Sequence, residues 1–449
     1  APGNLTAMTY PDGASITRVT DSTGRAVAGT LPGGTAVAAT YTDGRLDEVA
    51  GPLVSVGFGY SDLTPRPTTM TWTASGSTET LAQTYDGTLL TSSTWSGTVA
   101  ATMSFGYDDQ FRLTTVQRDS EPAQAYSYDD DGLVVGIGDL VVERGAAGKV
   151  SAVDDGVGRV ETSYDSFGRV ARRALIVQGI EVASIDLSWA FADRLAETTR
   201  TVGGSATTRT FTHDRDGQLV EVAIGATVEA SASYDDLGNP ATLDAGGGPH
   251  DMAYSPSDAL LSVSGQDWSS DADGHVDRAD GWDLLLAASG ELLSASKGAT
   301  TLTYRYDGLR RRIASSDGTQ TAHYVYGNPL VPHQITAHFD GVAWADYRYG
   351  PDGHLFAIDR AGVRTYVLTD NRGTPWVGAD PTGNVVKQVE RSVWGLLLSD
   401  SDPGRSWAIG YIGAQHDDRT GLVRTWLREY APTIGRFISR DHAFRPELT

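Results

Sequence analysis

The sequence predicts an all-β chain, a spiral of β-hairpins that forms a large hollow barrel-like shell. Three observations predict it. First, Tyr-Asp recurs, at Tyr107-Asp108, Tyr128-Asp129, Tyr164-Asp165, Tyr234-Asp235 and Tyr306-Asp307. The Tyr or its stand-in occupies 85, 107, 128, 164, 191, 213, 234, 254, 306, 326 and 349, and most steps are 20 to 23 residues. A fixed period of this size marks a repeat architecture. Second, helical periodicity is missing, and only Val423 to Tyr430 reads as a short helix. Third, Gly makes up 52 of 449 residues, against a usual share of about 7%, as frequent turns require.

One repeat shows the element. Thr301-Leu302-Thr303-Tyr304-Arg305-Tyr306 alternates and is rich in β-branched and aromatic residues, so it reads as a strand. Asp307-Gly308 is a turn, because Gly accepts positive φ and Asp bonds its own backbone. Arg310 to Ala314 returns. The repeat tyrosines Tyr164, Tyr234 and Tyr306 are expected to pack against equivalent aromatics one hairpin away. A dozen or more hairpins give roughly 25 strands, and sheets beyond about 10 strands curl or close. Strand twist makes so long a sheet wind around itself, and a wide barrel is hollow. A propeller and a flat solenoid are the alternative architectures; a propeller blade needs a period of about 40 residues.

Composition narrows the function. The formal net charge is −22, yet the last 60 residues carry eight Arg against eight Asp plus Glu. All the excess negative charge therefore lies upstream, which disfavours nucleic-acid binding by the shell surface. The absence of Cys excludes disulfides, Cys catalysis and Cys zinc sites and favours a bacterial source. No apolar run of about 18 residues is present, so no helical membrane insertion is expected. The chain opens Ala1-Pro2-Gly3 without Met, as a processed or excised piece would.

From about Tyr366 the pattern changes. Asn371-Arg372-Gly373-Thr374-Pro375, Arg419-Thr420-Gly421-Leu422 and Gly435-Arg436-Phe437-Ile438-Ser439-Arg440-Asp441 follow in order. This run resembles the Rhs repeat-associated core, and the upstream hairpins resemble the YD repeats of the same superfamily. That superfamily includes bacterial Rhs proteins, the C components of ABC toxin complexes and teneurin YD shells. The resemblance implies a YD-repeat β-shell over 1–365 and a core over 366–449 that winds inward as a plug. It implies a structural container for a C-terminal toxin or other cargo polypeptide, secreted or delivered to a cell surface by bacteria. A secretion-system or toxin-complex component would be a partner. The rival is a teneurin-like adhesion scaffold with a cell-surface partner. No enzyme acting on other molecules and no cofactor or metal is expected.

The resemblance also implies intramolecular aspartyl cleavage after the core, with Arg440 and Asp441 as candidate residues. Such cleavage needs two carboxylates sharing a proton. The second family Asp lies beyond Thr449, and the family's Asp-Pro is Asp441-His442 here, so this chain is not expected to cut itself. Arg440 and Asp441 are expected inside the lumen, with Arg436 nearby. The alternative role for Arg440 and Asp441 is a buried ion pair that holds the plug.

Other motifs read as structure. Asp271-Ala272-Asp273-Gly274-His275 has the oxygen spacing that begins a calcium loop, but Trp282 stands where an EF-hand needs Glu, and Asp-x-Asp-Gly is ordinary hairpin chemistry. Gly145 to Lys149 lacks the first Gly of a phosphate loop. His323, His333 and His338 read as turn or surface histidines rather than a metal site. Asn4-Leu5-Thr6 is a glycosylation acceptor only in a eukaryotic secretory protein.

Overall fold

The computed structural model describes residues 6–441 apart from 63 and 266; His442 and the Asn4-Leu5-Thr6 motif as a whole lie outside the described residues. Among the described residues there are 43 strands, more than the sequence reading expected, and no α-helix. Three single 3-10 turns are the helical content. Strands pair antiparallel with their chain neighbours, giving sheets of 25, 14 and 4 strands. The first sheet runs from Ala7–Thr9 to Leu260–Val263, and the second from Ser269–Ser270 to Leu397–Asp400. The small sheet is Gln415–His416, Val423–Thr425, Arg428–Ala431 and Arg436–Phe437.

The Tyr-Asp unit explains itself locally. At Tyr164-Asp165-Ser166-Phe167-Gly168-Arg169 the pairing register slips between Ser163 and Tyr164, so that Tyr164 faces Val170. The same slip precedes Tyr107, Tyr128, Tyr234, Tyr306 and Tyr349. Each bulge adds right-handed twist, and repeated bulges coil the sheet. Asp165 then closes the turn: Oδ1 accepts from the Phe167 and Arg169 amides, each at 2.9 Å, and Oδ2 pairs with Arg169 Nε at 2.8 Å. Gly168 takes φ +80, a left-handed conformation that costs Gly little.

The repeat tyrosines do not form the expected aromatic ladder. Among the described residues neither Tyr164 nor Tyr234 pairs with another aromatic ring; Tyr306 meets Trp72 at 5.5 Å. The hydroxyls do the stapling instead. Tyr128 donates to Leu113 O at 2.7 Å, Tyr164 to Val150 O at 2.8 Å, Tyr254 to Pro240 O at 2.8 Å and Tyr306 to Leu292 O at 2.7 Å. Leu113 and Pro240 are the residues that face the preceding repeat tyrosines, Tyr107 and Tyr234. Each repeat is thus tied to the one before. Basic residues cover the rings: Arg112 lies 4.5 Å from the Tyr128 centroid and Lys149 4.8 Å from that of Tyr164. A phenol needs a partner for its hydroxyl when its ring is buried, and a backbone carbonyl one hairpin back is nearer than the next ring.

The expected helix at Val423 to Tyr430 is a hairpin. Val423–Thr425 and Arg428–Ala431 pair, and Trp426 sits in the turn at φ 45. The flanking strands Gln415–His416 and Arg436–Phe437 supply backbone partners that a lone helical turn would lack.

The two large sheets and the terminal segment share cores. Phe356, Tyr366, Leu368 and Trp376 of the second sheet pack in one apolar cluster with Leu140, Leu175 and Ile185 of the first. Leu355, Ile358 and Val367, interleaved with them, belong to another that contains Trp407, Ala408 and Ile409. The second sheet thus shares one core with the first sheet alone and another with both the first sheet and the terminal segment. The 365/366 boundary falls inside the strand Val363–Thr369, and the hairpin ladder continues to Asp400.

Candidate functional site: the seat of the terminal segment

The terminal segment is held by apolar anchors and buried charges. Leu422, Ala431, Ile434 and Ile438 join a cluster with Trp72, Leu243, Tyr304 and Tyr306, taken from both large sheets. The Ile438 carbonyl accepts from Val276 N at 2.8 Å, which fastens the tail to the second sheet. Tyr347 accepts the Ala408 amide at 2.7 Å, and Tyr430 donates to Trp394 O at 2.9 Å.

The charges centre on Glu429, which has no exposed surface. Its Oε1 lies 2.7 Å from Arg312 Nη2 and 3.2 Å from Arg424 Nη1. Arg312 stands 4.2 Å from the Tyr304 ring centroid, and Arg424 stands 4.9 Å from that of Tyr306. Tyr304 donates to Asp417 Oδ2 at 2.6 Å. Burial works against a charged Arg312, but Glu429, Tyr306, Tyr304 and Asp417 outweigh it and hold its pKa well above the ordinary arginine value. Burial first, then the Asp417 charge, raises the Tyr304 phenol well above its ordinary range. The turn Asp307 to Arg311 has sunk inward: Asp307 is fully buried, pairs with Arg311 at 2.6 Å and accepts from Trp95 Nε1 at 3.0 Å. Removing one partner from such a network leaves an uncompensated charge. The arrangement is a lock between shell and tail.

Arg440 and Asp441 sit where this seat ends. Arg440 donates to Ser257 O at 2.8 Å and stacks 4.8 Å from the Tyr10 centroid. It lies flat over Gly274, where a Cβ would come within 2.3 Å of its Nε. The alternative of a buried Arg440–Asp441 pair does not hold: the Asp441 side chain is 73% exposed, with Arg428 Nη2 3.7 Å from its carboxylate. The anchoring residue Ile438 is three positions earlier, and a carboxylate beyond it is better solvated than buried. Arg436 stacks on Tyr254 and lies 3.6 Å from Asp258.

The remaining motifs resolve as turns and packing. Asp271 Oδ1 accepts the His275 amide, as in the other turns, whereas Asp273 Oδ1 accepts Gly33 N from the first sheet's end of the chain, 240 residues away. His338 stacks on Tyr324 at 5.0 Å, His333 on Trp426 at 5.5 Å, and His323 lies 5.6 Å from Phe339. Glu429, Arg424 and Asp417 were missed by sequence reasoning. The run Arg310-Arg311-Arg312 was the available signal, since three arginines after a repeat turn need acidic partners.

Residues 3–449 match the family described as Teneurin YD-shell. The chain belongs to the teneurin YD-shell family. Human Teneurin-4 is 27% identical over 93% of this YD-shell chain, and Drosophila melanogaster Teneurin-m is 27% identical over 76%. The chain spans 16% and 13% of those proteins. Among solved structures, TcdB2-TccC3 is similar at 16% identity and TM-score 0.62, over 98% of this chain and 27% of that one. The Photorhabdus luminescens Tc holotoxin pore is similar at 15% identity and TM-score 0.63. These likenesses agree with the spiral all-β YD shell built above.

Proposed function

We propose that this chain is the encapsulating shell of a bacterial Rhs-type polymorphic toxin, and that its terminal core plugs the shell ahead of a C-terminal toxin or cargo. The observation that carries the reading is the seat of the tail. The tail is anchored through Ile438 against residues of both large sheets, and Asp441 beyond it is exposed. A following segment would leave from a fixed point. The Tc toxin complexes supply fold-level support. In this reading the chain is a container and not an enzyme in trans, and Arg440-Asp441 marks the junction where an intramolecular cut would fall.

The second reading is a teneurin-like surface scaffold, favoured by the 27% identity to human Teneurin-4 over 93% of the chain. The two separate on a gel. A product extended past Thr449 through the next acidic residues and run denatured should give two bands split near Asp441, and Asp441→Asn should give one. A single band in the unsubstituted product, with the shell folded, contradicts the container with a cut junction and leaves the scaffold.

A further inference from the structure

A cavity of about 350 Å³ opens where the two large sheets and the terminal segment meet, and Glu429 does not line it. Its floor is apolar, from Ile185, Phe211 and Leu219. Arg194, Arg372 and Arg391 line it, and Tyr411 of the terminal segment closes one side. The wall also holds Arg200 and Arg209, but these are satisfied: Arg200 pairs with Glu390 at 3.1 Å, and Arg209 with Glu229 at 2.7 Å.

The other three arginines make no ion pair among the described residues. Arg391 donates to Gly395 O at 3.3 Å, and its buried Nε has no partner. Arg372 makes two long contacts at 3.4 Å, to the Tyr411 hydroxyl and Val393 O. Arg194 reaches Asp214 O at 3.4 Å. Asp193 and Asp370 also line the wall, and Asp370 is engaged by the Arg372 and Thr374 amides and by Arg200. In a chain with 57 acidic and 35 basic residues, three arginines left unpaired around one cavity are not explained by composition. Of the three, Arg391 carries a buried donor without a partner, which costs free energy unless something fills the place, while Arg372 is exposed at the cavity mouth. Burial already lowers Arg391 to about 10, a cost that a bound anion would remove.

We propose that this cavity binds an organic oxyanion with an apolar body, its charged head on Arg372 and Arg391 and its body on the Phe211 and Leu219 floor. The guanidinium fork suits carboxylate or phosphate oxygens. Because the walls come from the first sheet, the turn Asp370 to Thr374 of the second and Tyr411 of the tail, a bound anion would also tie the tail to the shell. It would stabilise the folded state by binding it selectively.

Calorimetric titration of the intact chain near neutral pH and low salt tests this. The probes are phenyl phosphate and phenylacetate, run separately to tell a phosphate head from a carboxylate, with inorganic phosphate and phenol as half-ligands. One site is expected for at least one full probe, and each half-ligand should bind more weakly. R391Q and R372Q should each weaken binding by about tenfold, as the loss of a charged hydrogen bond does. R278Q, at an exposed arginine elsewhere, should change nothing. R372Q tests the site at the cavity mouth should R391Q not fold. Absence of binding by both full probes overturns the proposal, as does equal binding by R372Q and the unsubstituted chain.

Discussion

The hydroxyl of Tyr306 is a small group with a defined task. It is buried and bonds the carbonyl of Leu292. Tyr306→Phe should cost about 1 kcal/mol, the usual net worth of one such bond. Tyr306→Ala should cost about 3 kcal/mol or more, because the ring contact with Trp72 goes too. Chemical denaturation of both variants separates the two contributions, and an unchanged midpoint in Tyr306→Ala would contradict the staple. Glu429 is the sterner case. Glu429→Gln leaves Arg312 and Arg424 buried without their shared carboxylate, and about 3 to 5 kcal/mol of stability should be lost. A Glu429→Gln chain that unfolds at the original denaturant concentration would show that the lock carries nothing.

Hairpins were legible in the sequence because their signals are local. Asp-x-x-Gly fixes a turn through bonds within five residues, as at Asp165 to Arg169, and alternation fixes the faces. The bulge before each Tyr was not legible, since it depends on how two strands meet. The stapling carbonyl, 14 residues back at Tyr306, was hidden for the same reason. The hairpin Val423 to Ala431 was misread because its strands are only three and four residues long and are held by pairing with the flanking strands, which no alternation within so short a run reveals.

One strand also predicts a pH response. His338, in Ala337–Phe339, is buried against Tyr324, and burial depresses its pKa to about 4, with Arg360 and His323 acting the same way and Asp340 opposing. A neutral buried His leaves the unfolded chain the better proton binder between that value and about 6.5. Stability from this group is therefore full above pH about 6.5 and is lost as the pH falls toward 4, by about 3 kcal/mol in all. His354, also lowered to about 4, adds to the same window. His338→Phe keeps a ring on Tyr324 and should flatten the fall in melting temperature over that range; an unchanged slope would contradict the assignment.

For the molecule as a whole, the sharing of cores between distant segments is the property that matters. Two long meanders and a terminal segment share cores, and residues far apart in sequence close them: Arg118 with Asp346, Arg364 with Asp155, Asn239 with Arg436. The repeat period foretold a winding sheet but not which turn lies on which, because any repeat can pack on any other until the irregular residues choose. Glu429, Trp72 and the sunken turn at Asp307 are those residues. The central claim is that the tail is an integral part of the shell's core. Hydrogen exchange on the intact chain, followed by mass spectrometry over residues 423–438, tests it most directly. The account predicts protection there as strong as in the strand Thr300–Tyr306 and lost together with it. Exchange of the tail within seconds, while that strand stays protected, would contradict it.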